Sequence, residues 1–300
     1  MASIPLVRFP TTEVLSMSSK SRIKFTNYLS LQRFAPATKE AYLSAIKGLA
    51  DHYNTGYPEL LNNEQIQDYL FYNIQEKKLA WASCNVLFCA MKKFYVDYAG
   101  RCEINLSIPP RPRSRKLPIV LSKKEVSKLL NVPPNLKHRA LLATVYGSGL
   151  RVSEVVKLRP EHLDSDKMTI RIEQSKGRKD RYTVLSRYGL ELLRKYWRSV
   201  QPEEWIFFGR DKGQPMPVNT AQRIFYNAKK MLGISKSGGI HTLRHCFATH
   251  ALEAGVEIYI IKRWMGHSSL KTTYKYIHLC PDYLSKAENP LDLMFTGRQS

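Results

Sequence analysis

The sequence predicts a mainly α-helical protein of two domains with a small β-hairpin in the second domain. Apolar residues recur at helical spacing through most of the 300-residue chain. Residues 168–185 instead alternate as two strands joined by a turn do. Residues 109–118 contain four prolines and four basic residues, a composition that neither a helix nor a central strand tolerates. These observations predict a helical domain, a linker and a larger, helix-rich domain.

The first domain follows a short N-terminal arm. Its apolar residues recur at helical intervals in four runs, at residues 25–29, 42–49, 66–74 and 86–94. We therefore predict a flexible arm at residues 1–14 and an all-helical domain at residues 15–105. Thr38 is predicted to cap the second helix, because a threonine oxygen can accept a hydrogen bond from a free N–H of the first turn.

The charge of the chain indicates a polyanionic partner. There are 47 Lys and Arg residues against 25 Asp and Glu, a formal net charge of +22. Residues 1–105 hold 12 basic and 9 acidic residues (net +3), and the remainder holds 35 and 16 (net +19). Nucleic acid fits this excess best, and an acidic membrane surface is the weaker alternative. The second domain is expected to make most of the contact.

The linker is placed at residues 106–118. Its basic residues are Arg111, Arg113, Arg115 and Lys116. Such a run is compatible with a solvated hinge or with a nuclear-import signal. We favour a third interpretation, in which the linker crosses DNA and its basic side chains contact backbone phosphates.

The second domain is placed at residues 119–285. A capping box at residues 122–125 predicts one helix, and a second is expected at residues 137–146. After the hairpin, helical patterns resume in four runs, at residues 190–197, 221–231, 242–254 and 258–265. The tail, residues 286–300, carries apolar residues that a chain end has little reason to expose, so it is predicted to dock on a neighbouring protomer or to fold back on its own domain.

Several protein classes are disfavoured. The chain has no apolar run of about 18 residues and no signal-peptide pattern, so we expect a cytoplasmic protein with no membrane partner. Its five cysteines form no C-x-x-C pair, which argues against a disulfide framework and a zinc finger. The histidines lack an H-E-x-x-H motif, so no metal and no cofactor are expected.

Four separated segments carry side chains suited to chemistry on a phosphodiester. They contain Arg151 with Glu154, Lys176, His241 with Arg244, and His267 with Tyr274 and Tyr276. Each has an ordinary structural explanation when it is considered alone, such as a surface ion pair or a half-buried tyrosine. Together they suit nucleophilic displacement at phosphorus, in which a phenolate attacks, guanidinium groups neutralise the transition state and a lysine protonates the leaving oxygen.

These segments resemble the motifs of a known family. The resemblance rests on Gly149-Leu150-Arg151-Val152-Ser153-Glu154, Ser175-Lys176-Gly177, His241-Thr242-Leu243-Arg244-His245, and Gly266-His267 with Thr272-Thr273-Tyr274-Lys275-Tyr276. The combination resembles the tyrosine recombinases, the phage integrase family of site-specific recombinases that includes Xer-type and integron enzymes. It covers about residues 15–285 and implies a clamp formed by a helical core-binding domain and an α-rich catalytic domain.

The resemblance implies a role for each matching residue. Tyr276 would be the nucleophile that forms a 3′-phosphotyrosyl bond and releases a 5′-hydroxyl. The other implied roles are phosphate binding by Arg151 and Arg244, general acid catalysis by Lys176, proton exchange and orientation by His241 and His267, and support of the site by Glu154. Tyr274 is the competing nucleophile, but two residues along a helix turn its side chain about 200° away, so only one of them can face the phosphate.

The resemblance also implies partners and a biological context. Double-stranded DNA with paired recombination sites, a homotetramer and a Holliday junction intermediate are expected. The basic run at the hairpin tip itself predicts that Arg178, Lys179 and Arg181 contact backbone phosphates of DNA. The role would be integration and excision of a mobile element or Xer-like resolution, in the nucleoid of a bacterial cell. The alternatives are a type IB topoisomerase or hairpin resolvase, and a DNA-binding regulator without chemistry.

Overall fold

The structure is a computed structural model that describes residues 18–111, 118–173 and 180–280. The chain divides into two compact units, Met1–Arg115 and Lys116–Ser300, each with its own hydrophobic core. Within the described ranges, no helix is both long enough and apolar enough to cross a membrane. The predicted arm, the hairpin tip and the tail lie outside the described residues.

The described part of the first unit is a bundle of four α-helices. They are α1 (Ser19–Leu31), α2 (Pro36–His52), α3 (Asn63–Gln75) and α4 (Trp81–Lys92). A π-helical segment, Lys93–Tyr98, continues α4. The core contains Phe25, Leu29, Ile46, Leu49, Ile66, Leu70, Met91 and Phe94. These apolar residues fall three or four positions apart within each helix, so each helix turns one side inward.

The predicted cap of the second helix is wrong. Helix α2 begins at Pro36, and its N-cap is Ala35, which makes no side-chain cap hydrogen bond. Proline is favourable at the first helical position, because its missing N–H would have had no partner there and its φ angle is already helical. Pro36 therefore starts the helix two residues before Thr38.

The second unit contains a largely buried helix. Its helices are α5 (Lys123–Asn131), α6 (Leu136–Ser148), α7 (Val152–Val155), α8 (Arg187–Val200), α9 (Val218–Met231), α10 (His241–Glu253), α11 (Ile258–Met265) and α12 (Lys271–Tyr274). Helix α5 has the predicted capping box between Ser122 and Glu125. Helix α10 is buried on most sides and packs against α6. This burial fixes the side chains at its N-terminal end.

The predicted hairpin is present and belongs to a three-stranded antiparallel sheet. Its strands are β1 (Leu163–Asp164), β2 (Thr169–Ile172) and β3 (Arg181–Val184), in the order β1-β2-β3. In the β2–β3 register, Ile170 is opposite Thr183. The Thr183 hydroxyl donates a 2.8 Å hydrogen bond to the carbonyl of Ser148. This bond joins the sheet to the end of α6, and the mainly helical fold class with a small sheet is confirmed.

Two adjacent residues of α3 give a matched test of the first core. Leu70 is 1% exposed, whereas Phe71 is 59% exposed. Leu70→Ala is expected to lower the free energy of unfolding by about 2–5 kcal/mol, because it leaves a cavity. Phe71→Ala should change it by less than about 0.5 kcal/mol. Urea denaturation of the full chain, followed by circular dichroism, measures both, and equal effects would contradict this placement of α3.

Candidate active site

The first arginine of the site lies between two tightly packed helix ends. Helix α6 ends at Gly149, whose φ of 60° is left-handed. A Cβ atom at Gly149 would lie 2.4 Å from the ring of Phe247, so glycine is required by both conformation and space. Arg151 then caps α7, and its backbone N–H donates a 2.8 Å hydrogen bond to Glu154. The turn therefore places the Arg151 side chain at the junction of α6, α7 and α10.

The carboxylate of Glu154 lies at the centre of a group of arginines. Arg181 donates two hydrogen bonds of 2.8 Å, one to each carboxylate oxygen. Arg151 donates a third of 2.7 Å, and a guanidinium nitrogen of Arg244 lies 3.9 Å away. Burial alone would raise the pKa of Glu154, but the hydrogen bonds and charges of Arg181 and Arg151 outweigh it and lower this pKa to about 2. Glu154 is therefore ionised near neutral pH.

Arg181 is part of this group and not part of the solvent-exposed surface. Its side chain is only 9% exposed. Its Nε atom donates a 3.2 Å hydrogen bond to the carbonyl of Trp264. Arg181 was predicted to contact DNA, but the structure places its guanidinium inside the protein, bound to Glu154. Through these bonds β3, the strand that follows the hairpin tip, is tied to α7 and to the end of α11.

Arg244 is the most deeply buried arginine of the group. It is 2% exposed, and its two terminal nitrogens donate to the carbonyl of Gly149, at 2.6 Å, and to that of Met265. Burial and the charge of Arg151 lower the pKa of Arg244, yet a guanidinium starts far enough above 7 to stay charged. Arg151 also donates a 3.3 Å hydrogen bond to the carbonyl of Gly266. The two predicted phosphate-binding arginines therefore converge.

The structure distinguishes the two tyrosines. Tyr274 is 47% exposed, whereas Tyr276 is 1% exposed. The Tyr276 hydroxyl lies 2.8 Å from Nδ1 of His245. Burial raises the pKa of Tyr276 to about 12, against the opposing charges of Arg244 and Arg151. Tyr276 is therefore the tyrosine that is buried next to Arg244 and Arg151, whereas Tyr274 faces solvent.

The histidines around the phenol are neutral. The His267 ring lies parallel to the Tyr276 ring with centroids 6.4 Å apart, and its Nδ1 is 2.9 Å from the Thr273 hydroxyl. Burial, followed by nearby cations, lowers the pKa of His267 to about 3 and that of His245 to about 4. His241 is the exposed first residue of α10, and its ring centroid is 5.8 Å from that of His245. Near neutral pH these rings are therefore unprotonated, and a ring nitrogen of each can accept a hydrogen bond.

The structure thus brings together five of the six predicted catalytic residues. They are Arg151, His241, Arg244, His267 and Tyr276, and Glu154 lies among them. The predicted residues Lys176, Arg113, Arg115, Lys116, Arg178 and Lys179 lie outside the described residues. Arg111 is exposed, with its guanidinium 5.5 Å from the centre of the Trp81 ring. No group of metal-ligating side chains is found in the described parts of the chain.

Sequence reasoning assigned His245 to packing or the surface, and the structure shows otherwise. His245 lies one helical turn after His241, on the same side of α10. That spacing was the signal available in the sequence. The partner, Tyr276, follows 31 residues later, and the pairing depends on how α10, α11 and α12 pack. The contact between Arg181 and Glu154 was not predicted for the same reason, because it joins residues 27 positions apart in the chain.

A basic cavity adjoins the arginine group. Its volume is about 660 Å³, and its lining includes the cations Arg151, Lys157, Arg159 and Arg171 and the carboxylates Glu154 and Glu173. The guanidinium of Arg159 lies 4.5 Å from the centre of the Trp205 ring. The cavity shares Arg151 and Glu154 with the arginine group but is lined by neither Tyr276 nor Arg244. Its excess of cations is suited to a phosphate that neighbours the site.

Two glycines with the same backbone conformation test the packing of this site. Gly266 and Gly233 have φ angles of 61° and 62°, but a Cβ atom at Gly266 would lie 2.6 Å from Cδ of Arg181, whereas one at Gly233 would have no neighbour within 4 Å. Each substitution by alanine should cost roughly 1–2 kcal/mol of stability through its φ angle. Gly266→Ala should cost more and should also slow DNA cleavage, because Arg181 must move. Thermal unfolding and cleavage assays measure the difference, and matching results for the two variants would contradict it.

Two family models match the chain. The phage integrase family model covers residues 120–282, and the N-terminal SAM-like domain of phage integrases covers residues 22–102. A protein of Sinorhizobium fredii named as an integrase/recombinase, y4qK, is 37% identical over 287 residues, or 95% of this chain and 92% of the relative. The tyrosine recombinase XerA of Thermococcus kodakarensis is 29% identical, over 90% and 95% of the two chains.

Solved structures of this type share the fold. Lambda integrase residues 75–356, as a dimer bound to a core site, matches with a TM-score of 0.67 and 19% identity over 87% of this chain and 95% of that chain. The XerH site-specific recombinase bound to its palindromic difH substrate matches with a TM-score of 0.65 and 17% identity over 91% and 90%. With a matching family model over more than half of its length, the chain belongs to the phage integrase family of tyrosine recombinases, which carry out site-specific DNA recombination.

Proposed function

We propose that the protein cleaves and rejoins DNA strands through a 3′-phosphotyrosyl bond to Tyr276. The observation that carries this proposal is the placement of a buried phenol within the field of two converging guanidinium groups. An attack by the phenol oxygen on phosphorus retains the energy of the broken ester bond in the new one. Resealing therefore needs no nucleotide hydrolysis.

Arg151 and Arg244 are proposed to bind the non-bridging oxygens of the scissile phosphate. Both are already held by backbone carbonyls, so their positions are set before DNA arrives. A pentacoordinate phosphorus carries one more negative charge than the starting diester. Fixed cations therefore stabilise the transition state more than the ground state.

Lys176 is proposed as the general acid that protonates the leaving 5′-oxygen, and His241 and His267 as groups that orient the phosphate and exchange protons. Glu154 and Arg181 act one step away from the phosphate. Their ion pair connects β3, which follows the segment carrying Lys176, to the helix that carries Arg151. We expect this connection to keep Lys176 and Arg151 in a fixed position relative to each other.

DNA binding is proposed to involve the basic residues of the linker and of the hairpin tip, together with the basic cavity. The linker residues are Arg111, Arg113, Arg115 and Lys116, and those of the hairpin tip are Arg178 and Lys179. Each neutralised phosphate releases bound counterions, so affinity should fall with rising salt. This interpretation is preferred to a nuclear-import signal, because the chain belongs to a family of DNA recombinases.

The wider reaction is proposed to follow the resemblance. Four protomers would hold two recombination sites and exchange strands through a Holliday junction, with the tail at residues 286–300 docking on a neighbouring protomer. The proposed role is integration and excision of a mobile element or Xer-like resolution, in the nucleoid of a bacterial cell. Its nearest competitor is type IB topoisomerase activity, which uses the same attack on a single duplex.

The nucleophile is tested with the two tyrosines. A duplex site is first selected by binding from a random-sequence library and then nicked near the cleavage point, so that the covalent complex accumulates. Tyr276→Phe should reduce this complex by at least about 10³-fold, because the attacking oxygen is removed. Tyr274→Phe is the matched control and should form the complex at nearly the unchanged rate. A complex that persists in Tyr276→Phe, or an adduct mapped to Tyr274, would overturn the assignment.

Recombination and relaxation are distinguished on supercoiled plasmids. A plasmid with two copies of the selected site should give excision or inversion products, because strand exchange needs two sites. A plasmid with no copy should remain supercoiled. Agarose gel electrophoresis measures both outcomes, and equal relaxation of the two plasmids would favour the topoisomerase alternative.

A further inference from the structure

His245 makes the hydrogen bond that the proposed nucleophile needs. The distance between its Nδ1 atom and the Tyr276 hydroxyl oxygen is 2.8 Å, a normal length for such a bond. Tyr276 is 1% exposed and His245 is half-buried, so little solvent competes for this contact. His245 belongs to α10, whereas Tyr276 lies just before a short 3-10 helix, Ile277–Leu279. This short helix packs against α10 and so brings the two side chains together.

The direction of the hydrogen bond follows from the charge of the two partners. Burial raises the pKa of Tyr276 to about 12, so the phenol keeps its proton. Burial and the charges of Lys275, His241 and Arg244 lower the pKa of His245, so its ring is neutral. The phenol therefore donates, and the unprotonated Nδ1 accepts, with the ring proton on Nε2.

The other histidines are less well placed for this role. Nδ1 of His267 is already within hydrogen-bond distance of Thr273, and its ring lies parallel to the tyrosine ring, at 6.4 Å between centroids. His241 is at the exposed start of α10, next to His245.

We propose that His245 is a catalytic residue, which orients the Tyr276 hydroxyl and accepts its proton as the phenol oxygen attacks phosphorus. This proposal rests on the proposed function. In the forward step, a bond forms between the phenol oxygen and phosphorus, and the phenol proton moves to Nδ1. The bond between phosphorus and the 5′-oxygen breaks. That oxygen keeps the electron pair of the broken bond and takes a proton from Lys176. In resealing, the 5′-hydroxyl attacks phosphorus and gives its proton to the neutral Lys176 amine. The bond between phosphorus and the phenol oxygen breaks, and the His245 imidazolium returns its proton to that oxygen.

The proposed reaction has two proton transfers, one from the attacking phenol and one to the leaving 5′-oxygen, and His245 is placed to take part in the first. Its contact is with the attacking oxygen, whereas Lys176 is proposed to serve the leaving oxygen. A substrate with sulfur in place of the bridging 5′-oxygen tells the two roles apart, because a thiolate leaves without being protonated. Loss of the general acid should be rescued by this substrate, and loss of the group that serves the nucleophile should not.

The experiment measures single-turnover cleavage of both substrates by the full chain. His245→Phe, which keeps the ring but has no acceptor, should cleave both about 10²–10⁴-fold more slowly than the unchanged protein. His245→Asn should lose less, because its amide oxygen can accept the hydrogen bond and orient the phenol, although it cannot hold the proton. Lys176→Ala should be slow on the oxygen substrate and restored on the sulfur substrate.

The same helix offers a matched control. Nδ1 of His250 lies 3.0 Å from the hydroxyl of Tyr146, so α10 carries a second histidine–tyrosine pair outside the site. His250 is 7% exposed, and His250→Phe should lower the melting temperature much as His245→Phe does. It should leave cleavage close to that of the unchanged protein. The pair of variants therefore separates loss of packing from loss of chemistry.

The outcomes are distinct. If His245→Phe cleaves both substrates as fast as His250→Phe, or if the sulfur substrate removes its defect, the proposal is overturned. If His245→Phe does not fold, His245→Asn decides by the same criterion, because it is smaller and polar. If the unchanged protein forms no covalent complex with either substrate, or if Tyr276→Phe forms one, the proposed function itself fails.

Discussion

The site depends on a single buried carboxylate that balances several buried cations. Arg151 and Arg181 bind Glu154 directly, and Arg244 lies within 3.9 Å. Three guanidinium groups so close together repel one another in an interior of low dielectric constant. Removing Glu154 would leave these charges uncompensated, a change that typically costs several kcal/mol at buried ion pairs. The carboxylate therefore acts as the counterion that lets these three guanidinium groups lie close together in the free protein.

The ends of two helices complete the same arrangement. Helices α6 and α11 both end at a left-handed glycine, Gly149 and Gly266. Helix ends leave carbonyl groups without partners and carry partial negative charge, which favours cations. Arg244 donates to carbonyls at both ends, and Arg151 donates to the carbonyl of Gly266. The glycines thus serve the site by ending the helices where a guanidinium can replace the missing intrahelical donors.

Sequence patterns were sufficient for the fold class and most helix positions, because apolar periodicity reports which side of each helix is buried. Local signals for the start of a helix were less reliable where two of them lie close together. Pro36 and Thr38 both indicate a helix start, and α2 begins at Pro36. The contacts of Arg181 and His245 were not accessible in this way. Arg181 lies in a run of basic residues that predicts solvent exposure. The packing of β3 against α6 and α11, with the ion pair to Glu154, shows that its charge is neutralised inside the protein.

The free protein keeps the Tyr276 phenol protonated, and this follows from the balance of burial and charge. The cations near Tyr276 lower its pKa, yet burial dominates and the phenol remains protonated. A phosphate bound by Arg151 and Arg244 would offset part of their positive charge, which makes protonation of a nearby imidazole less costly. The same anion makes a free phenolate less favourable. Proton transfer coupled to bond formation avoids both a free phenolate and an early imidazolium, so a protonated phenol held against a neutral ring is a suitable starting state for reversible cleavage.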